Sequence, residues 1–185
     1  MTYSKKELRQ AFISRLRQMD LQTKKKQEAS LREQLYILPE WTSAKIIATT
    51  LSMSFELDTQ PLIIHAQHKG KEVVVPRVTG KRQMEFVRLT EQTQFQQSAF
   101  GVLEPVDDEV VSLDQIDLMV VPGVAFTRSG KRLGFGGGFY DTCLAKFHQS
   151  TVSLALRPQM ADEDEWESQP HDQRVGRVLM VGDGQ

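Results

Sequence analysis

The sequence predicts an α/β fold: a single domain over residues 1–185, with a mostly parallel sheet flanked by helices and an N-terminal helical pair. From residue 23 onward, helical patterns alternate with short β-branched runs, an order typical of parallel strands beneath helices. Of the 185 residues, 39% are apolar, so the chain can bury one hydrophobic core of its own. Two helical patterns precede the first β-branched run.

The N-terminal helical pair is predicted from capping and periodicity. Ser4 and Glu7 have the spacing of a capping box, which places the start of the first helix at Ser4. The apolar residues that follow form one helical stripe: Leu8, Phe12, Leu16 and Met19. The second helix is predicted to run from Thr23 through Leu38, where Pro39 ends it.

The next two elements are a strand and a helix. The short apolar run KIIATTLSM, residues 45–53, is rich in β-branched residues and has the length of a strand. A loop follows, and then a helix that either Asp58 or Thr59 would cap, with Pro61 in its first turn. Gly70 is predicted to end this helix.

A pair of strands is predicted in the middle of the chain. The segments EVVVPRV and QMEFVRL are strand candidates on either side of a turn at Thr79 and Gly80. A polar loop that contains FGVLEP is expected after them.

The last third of the chain is predicted to return to alternating strands and helices. The apolar segment IDLMVVPGVAF is expected to form a buried strand that runs to residues 122–123. A helix over residues 138–147 and two strands, TVSLAL and RVLMVG, complete the fold.

Two unusual segments are expected to meet at one edge of the sheet. Residues 53–56 and residues 122–141 each come directly after a predicted strand. Ligands of such sheets bind in a crevice beyond the carboxyl ends of the strands. Both segments should therefore face that crevice.

Charge and cysteine usage exclude several classes of protein. The net charge of −1 and the isoelectric point near 6.4 argue against a nucleic-acid partner. The single cysteine, Cys143, excludes an internal disulfide framework, suits a reducing cytosol and is expected to pack as a structural thiol. The N-terminus is too polar for a signal peptide, and no apolar run approaches the ~20 residues that cross a bilayer. We therefore expect a cytoplasmic protein without nucleic-acid or membrane partners.

The segment GKRLGFGGGFYD contains four glycines within residues 134–138, which we call the glycine loop. It matches neither the Walker phosphate-binding loop nor the dinucleotide fingerprint, which would need a glycine at position 139. Glycines allow positive φ angles, which can turn several backbone N–H groups toward one anion, and a helix starting near Gly138 would add its dipole. Arg132 offers a planar fork for phosphate oxygens, and Asp141 could hold a bridging cation.

The alternative interpretation of this segment is a glycine turn with a solvated arginine and a carboxylate at a helix start. The strand, loop and helix order argues against it, and so do three aromatic residues, Phe135, Phe139 and Tyr140. Their flat faces can stack against a heterocycle. Together these features indicate a nucleotide used for phosphoryl transfer, with an aromatic co-substrate beside it.

The longer segment PGVAFTRSGKRLGFGGGFYD closely resembles the signature of the 5-formyltetrahydrofolate cyclo-ligase family. The resemblance extends over nearly the whole chain through KKELRQ, LSMSFELDT, VPRV, MEFVRL and FGVLEP, which stand in the family's order at similar spacing. The sequence departs from the family at Thr127, where aspartate is frequent, and after Val175, where an acidic residue is common and Gly176 stands here.

This resemblance implies an ATP- and Mg²⁺-dependent ring closure that converts 5-formyltetrahydrofolate to 5,10-methenyltetrahydrofolate, ADP and phosphate. In that reaction the γ-phosphoryl group of ATP moves to the formyl oxygen, and N10 of the folate then attacks the formyl carbon as phosphate leaves. Positioning and charge neutralisation dominate such catalysis. The partners would be these two small molecules, and we expect the enzyme to be a monomer.

The resemblance also implies which residues form the site. The ATP-binding residues would be Lys5, Arg9, Arg132, Leu133, Gly134, Phe135, Gly136, Gly137, Gly138, Phe139 and Tyr140. The substrate-binding residues would be Leu51, Glu56, Phe135, Gly136, Gly137, Gly138 and Phe139. Arg132 and Tyr140 would be catalytic, and Asp141 and Asp172 would bind Mg²⁺.

Some of these residues have other interpretations when the resemblance is set aside. Lys5 and Arg9 are one helical turn apart and could form an exposed cationic helix face. Glu56 could complement the dipole of the following helix, and Asp172 could be a plain loop carboxylate. Arg77 could either project into the crevice as an anion contact or lie on the surface of the sheet.

Two other functions are also compatible with the sequence. One is another enzyme that uses ATP or a sugar phosphate with a different acceptor, against which Glu56 and the loop aromatics argue. The other is a regulatory module that binds nucleotide or folate without chemistry. Loss of Arg132 or Asp141 would favour such a module, but both residues are present.

Overall fold

The computed structural model describes residues 3–98, 101–106 and 109–182. The helices are α1 (Lys5–Arg17), α2 (Leu21–Tyr36), α3 (Pro39–Ser43), α4 (Gln60–His68) and α5 (Phe139–Leu144). The strands are β1 (Ile46–Ala48), β2 (Glu72–Gly80), β3 (Gln83–Arg88), β4 (Phe95–Gln97), β5 (Leu103–Pro105), β6 (Val110–Val111), β7 (Leu118–Val120), β8 (Ala125–Phe126), β9 (Arg132–Leu133), β10 (Ser150–Ala155) and β11 (Arg177–Met180). Of the FGVLEP segment, Phe100 lies outside the described residues.

The predicted start of the first helix is confirmed. The Ser4 hydroxyl accepts a hydrogen bond from the Glu7 N–H at 3.3 Å, and the Glu7 carboxylate accepts one from the Ser4 N–H at 2.8 Å. This reciprocal pair fixes the first turn of α1. The apolar stripe then turns inward, because Leu8, Phe12 and Leu16 are all buried.

The predicted bounds of the second helix are wrong at both ends. Helix α2 begins at Leu21 rather than Thr23, because the Asp20 carboxylate accepts a hydrogen bond from the Thr23 N–H at 2.9 Å and caps the helix. It ends at Tyr36, two residues before the predicted end at Leu38. Pro39 does not simply stop α2; it begins α3, since proline suits the first turn of a helix.

The central sheet has seven strands in the order β11-β10-β7-β1-β2-β3-β6. Adjacent strands are parallel from β11 to β2 and antiparallel from β2 to β6. This confirms the predicted α/β class with a mostly parallel sheet. The predicted alternation of helices and strands does not hold between β2 and β9, where the described residues form successive strands with no α-helix between them.

Two predicted loops or turns are placed differently in the structure. The β2–β3 ladder extends to the pair Gly80 and Gln83, so the turn lies at Lys81 and Arg82 rather than at Thr79 and Gly80. In addition, the expected polar loop contains a hairpin, because β4 and β5 pair with each other as antiparallel strands. Both strands are short and contain polar and turn-forming residues, so the sequence pattern does not predict them as strands.

Hydrophobic residues pack against both faces of the sheet, because side chains of a strand alternate between its faces. In β7, Leu118 and Val120 pack with α2 and α4 on one face, while Met119 packs with α5 on the other. A third cluster joins α1 to β8 and β9. Cys143 belongs to the α5 side, and burial raises the pKa of its thiol to about 11, as expected of a structural thiol.

The parallel strands bring their carboxyl ends to one edge of the sheet. Strands β1 and β7 are adjacent, with Ala48 opposite Met119, so the segments that follow both strands emerge side by side. Among the described residues, no helix is both long and apolar enough to cross a membrane.

Gly130 is predicted to be one of the glycines on which folding depends. Its φ angle is +89°, and a β-carbon there would lie 2.4 Å from the backbone oxygen of Val175. Gly130→Ala should therefore lower the free energy of unfolding by about 3 kcal/mol. Gly70→Ala is the matched control, because Gly70 has a φ of +72° but nothing within 4 Å, and it should cost only about 1 kcal/mol. Urea denaturation would measure both; equal losses would contradict the steric argument.

Candidate active site

One cavity of about 720 Å³ opens at the carboxyl edge of the sheet. Its walls come from α1, the segment after β1, strands β2, β3 and β5, the glycine loop, α5 and residues 169–173. The two segments expected in the crevice both line it. All residues predicted from the sequence to form the site are on its walls: Lys5, Arg9, Leu51, Glu56, Arg132, Leu133, Gly134, Phe135, Gly136, Gly137, Gly138, Phe139, Tyr140, Asp141 and Asp172.

The glycine loop needs its glycines for two different reasons. Gly136 and Gly138 have positive φ angles, +100° and +73°, which disfavour any other residue. Gly134 and Gly137 instead leave room for neighbours, because a β-carbon would lie 2.7 Å from the Arg132 guanidinium or 2.5 Å from the Phe139 ring. The backbone of the loop can therefore approach a ligand closely. Gly138 is also the N-cap of α5.

Arg132 is buried and forms an ion pair with Asp141. Its side chain is 3% exposed, and its Nη2 lies 2.9 Å from Asp141 Oδ1. The same carboxylate oxygen accepts a hydrogen bond from the Gln173 N–H at 3.0 Å, which ties the loop at residues 169–173 to the pair. The Arg132 Nε is buried without a hydrogen-bond partner among the described residues. Arg132 thus retains donor capacity beyond its pair with Asp141.

Helix α1 adds two more cations to the walls of the cavity. Lys5 donates a hydrogen bond to the Asp172 carboxylate, and Arg9 Nε donates one to the Gly134 carbonyl at 2.7 Å. Burial opposes ionisation of Asp172, but hydrogen bonds from Lys5 and the Gln169 N–H prevail and lower its pKa. The interpretation of Lys5 and Arg9 as a merely exposed cationic face is therefore wrong.

Glu56 lies on the cavity wall near the end of β1. Burial raises the pKa of its carboxyl above the ordinary value, although the Met53 N–H donates a hydrogen bond to it at 2.7 Å. The following helix has its own acid, because Asp58 accepts a hydrogen bond from the Gln60 N–H at 3.0 Å. Glu56 is therefore not needed to cap α4. Leu51 lines the same part of the cavity.

The hydroxyl of Tyr140 is buried and has no hydrogen-bond partner among the described residues. Burial raises its pKa far above the ordinary value, and the nearby Arg132 guanidinium offsets only part of that rise. The hydroxyl therefore stays protonated and can donate a hydrogen bond. An unpartnered buried hydroxyl costs free energy, so a ligand that accepts its proton would relieve that cost.

The described residues contain no cluster of three or more acidic, histidine or cysteine side chains that could hold a metal ion by itself. Asp141 and Asp172 line the same cavity, each in an ion pair with a different cation. Two carboxylates suit Mg²⁺ when phosphate oxygens and water complete its coordination. The donor set thus fits a magnesium ion that arrives with a phosphate ligand.

Sequence patterns missed two charged residues that line the cavity, Arg82 and Glu104. Of the two interpretations left open for Arg77, the structure supports the one on the sheet: Arg77 does not line the cavity, and its Nε donates a hydrogen bond to Glu85 across the β2–β3 ladder at 3.0 Å. Arg82 stands in a turn that was predicted two residues too early, so its direction could not be anticipated. Glu104 belongs to β5, within the segment expected to be a polar loop.

Comparisons with known proteins agree with this geometry. The model of the 5-formyltetrahydrofolate cyclo-ligase family matches residues 1–181. The 5-formyltetrahydrofolate cyclo-ligase of Mus musculus is 29% identical to the chain and covers 95% of it, with 93% of the relative aligned. That of Escherichia coli K12 is 34% identical over 76% of this chain and 82% of its own length.

A solved structure also resembles the fold. The 5,10-methenyltetrahydrofolate synthetase of Aquifex aeolicus superposes with a TM-score of 0.82 and 29% identity, over 95% of this chain and 89% of its own. The sequence signature, the cavity at the strand ends and the match over almost the full chain all agree. The chain belongs to the 5-formyltetrahydrofolate cyclo-ligase family.

Proposed function

We propose that this protein is a 5-formyltetrahydrofolate cyclo-ligase, which uses Mg²⁺ and ATP to form 5,10-methenyltetrahydrofolate, ADP and phosphate. The observation that carries this proposal is that the glycine loop, Glu56 and the cations Lys5, Arg9 and Arg132 all line one cavity. The proposal also takes residues 1–185 as one monomeric domain. The single domain and the monomeric state remain predictions.

The triphosphate of ATP binds between α1 and the glycine loop. Lys5 and Arg9 reach it from α1, Arg132 reaches it from β9, and loop N–H groups supply neutral donors. Phosphate oxygens need such convergent donors because their charge is otherwise expensive to bring into a cavity. Leu133 contributes through its backbone, since its side chain packs in the third hydrophobic cluster.

Two ion pairs in the cavity support joint binding of Mg²⁺ and ATP. Lys5 pairs with Asp172, and Arg132 pairs with Asp141. When Mg-ATP binds, each cation can turn to phosphate oxygens while each carboxylate turns to the metal. Each charged group then still has an opposite charge beside it. Mg²⁺ would neutralise negative charge on the phosphate oxygens, and Asp141 and Asp172 would hold it.

The folate ring system binds against the other wall of the cavity. Glu56 can accept hydrogen bonds from the N–H groups of the pterin, and Leu51 packs beside it. Val75, Pro76 and Met84 make the nearby wall of β2 and β3 apolar. An apolar wall and the rings of Phe135 and Phe139 suit a flat heterocycle better than a sugar, which argues against the sugar-phosphate alternative.

The reaction needs two steps at the formyl group. The formyl oxygen attacks the γ-phosphorus, the bond from that phosphorus to the bridging oxygen of ADP breaks, and ADP leaves. N10 then attacks the formyl carbon, the carbon–oxygen bond breaks, and the phosphate departs with the formyl oxygen and the proton of N10. Arg132 stabilises the charge of the transferring group, and the protonated Tyr140 hydroxyl donates a hydrogen bond to an oxygen of that group.

The purified protein is expected to convert 5-formyltetrahydrofolate to the methenyl product only when ATP and Mg²⁺ are both supplied. The product can be followed by its new near-ultraviolet absorbance. Omission of ATP and addition of a chelator are the two controls. Absence of turnover with folded protein, shown by circular dichroism, would remove the cyclo-ligase proposal.

Arg132→Ala and Arg132→Lys should both lose activity while the fold survives. The lysine variant is the sharper test, because it keeps a charge for Asp141 but lacks the planar fork. Its kcat/KM should fall on the order of 10²-fold. Arg128→Lys, at an exposed position of the same segment, is the matched control. Wild-type turnover by a folded Arg132→Lys variant would mean that Arg132 does not bind the transferring phosphate.

Glu56→Gln should stabilise the protein at neutral pH but weaken its binding of substrate. The raised pKa of Glu56 means that its ionisation opposes folding, so the variant should be the more stable protein at neutral pH. The difference in melting temperature between Glu56→Gln and the wild type should be absent below the ordinary pKa of 4.5 and should appear as pH rises through the raised pKa. The KM for 5-formyltetrahydrofolate should rise at least about tenfold at neutral pH.

Thermal melts and initial rates from pH 4 to 8 would measure both effects of this change, with the exposed Glu33→Gln as the control. An unchanged KM would contradict the role of Glu56 in binding the pterin. A melting-temperature gap that closes as pH rises would contradict the buried-carboxylate argument.

A further inference from the structure

Arg82 has an unusual backbone conformation. Its φ angle is +58°, and it is the only residue other than glycine with a positive φ in the described part of the chain. It occupies the turn between β2 and β3, where glycine or asparagine would adopt this conformation more easily. Disfavoured backbone angles that persist are often found at ligand sites, where the surrounding structure holds them in place.

The side chain of Arg82 crosses the cavity to the glycine loop. A β-carbon at Gly138 would lie 3.2 Å from Arg82 Nε and 3.3 Å from its Cδ. The arginine therefore extends directly over the α-carbon of Gly138, and Arg82 lines the same cavity. Gly138 itself has a φ of +73°, so the two segments meet through two left-handed residues.

Arg82 completes a regular arrangement of arginines over glycines. The guanidinium of Arg132 lies at Gly134, that of Arg9 lies 3.4 Å from the β-carbon position of Gly136, and Arg82 lies at Gly138. These three arginines come from three separate elements, β9, α1 and the β2–β3 turn. Their side chains all lie against one short loop.

Arg82 differs from the other two arginines because its guanidinium has no hydrogen-bond or ion-pair partner among the described residues. Arg132 pairs with Asp141, and Arg9 donates a hydrogen bond to Gly134. Arg82 has neither a hydrogen bond nor an ion pair among the residues that the structure describes, and it is exposed. Its neighbour Lys81 is also exposed but does not line the cavity.

We propose, building on the function proposed above, that Arg82 is a third phosphate-binding arginine, which contacts the triphosphate from the β2–β3 turn. A guanidinium presents several N–H groups in one plane and can bind two phosphate oxygens at once. The strained turn holds this group over the glycine loop before the nucleotide arrives. Because the turn is already ordered, no free energy of nucleotide binding is lost in ordering it.

A carboxylate of the folate's glutamate tail is the other anion that Arg82 could contact. The position of Arg82 favours phosphate, because its side chain lies over Gly138, in the same loop that Arg9 and Arg132 contact.

The test uses three variants of the full chain. Arg82→Asn removes the charge but suits the left-handed backbone, so its melting temperature should equal or exceed that of the wild type. Arg82→Lys retains a charge without the fork, and Lys81→Asn removes the neighbouring exposed charge. Calorimetric titration with Mg-ATP should show that Arg82→Asn raises the Kd about tenfold, Arg82→Lys raises it less, and Lys81→Asn leaves it unchanged.

Steady-state rates provide the second arm of the test. The KM for ATP should rise in Arg82→Asn, whereas the KM should change little for 5-formyltetrahydrofolate or for 5-formyltetrahydropteroate, which lacks the glutamate. An unchanged Kd for Mg-ATP would overturn the proposal. So would a rise in KM that is confined to the substrate with the glutamate tail, since that result assigns Arg82 to the carboxylate.

The calorimetric arm also separates this inference from the proposed function, because it needs no turnover. Weaker Mg-ATP binding by Arg82→Asn would support the phosphate role even if the wild type did not cyclise 5-formyltetrahydrofolate. Normal cyclisation by the wild type together with unaltered Mg-ATP binding by Arg82→Asn would overturn only the role of Arg82.

Discussion

The ion pair between Arg132 and Asp141 is the interaction on which the site depends. A guanidinium that is 3% exposed would be unstable in the folded chain without a partner, and Asp141 supplies one at 2.9 Å. Because Arg132 precedes the glycine loop and Asp141 follows it, the pair closes the two ends of that loop on each other. The bond from the Gln173 N–H to the same carboxylate then fixes a distant segment beside it.

The pairing of cations with carboxylates explains how so much charge can share one cavity. Lys5 and Asp172 repeat the arrangement of Arg132 and Asp141 at the other side of the loop. Each cation is held near the proposed position of the phosphates, and each carboxylate near the proposed metal. Binding of Mg-ATP then exchanges partners, so that each charged group keeps an opposite charge beside it, which limits the desolvation cost.

Much of the fold could be predicted because its signals are local. The capping box at Ser4, the apolar stripe of α1 and the glycine loop each depend on residues within a few positions of one another. The errors arise where competing local signals are similar in strength. Asp20 rather than Thr23 marks the start of α2, and the β4–β5 hairpin is built from residues with weak strand preference.

The sequence by itself determined the chemistry of the glycine loop, since its glycines, its arginine and its carboxylate lie within ten residues. Only the tertiary structure decided which distant charges join it. Lys5 meets Asp172 from the other end of the chain, a contact that no local pattern encodes. The tertiary structure also decides which arginine reaches the glycine loop. Strand register pairs Arg77 with Glu85, whereas the β2–β3 turn places Arg82 against Gly138. Register and turn geometry are properties of packed strands, so they are settled only when the sheet has formed.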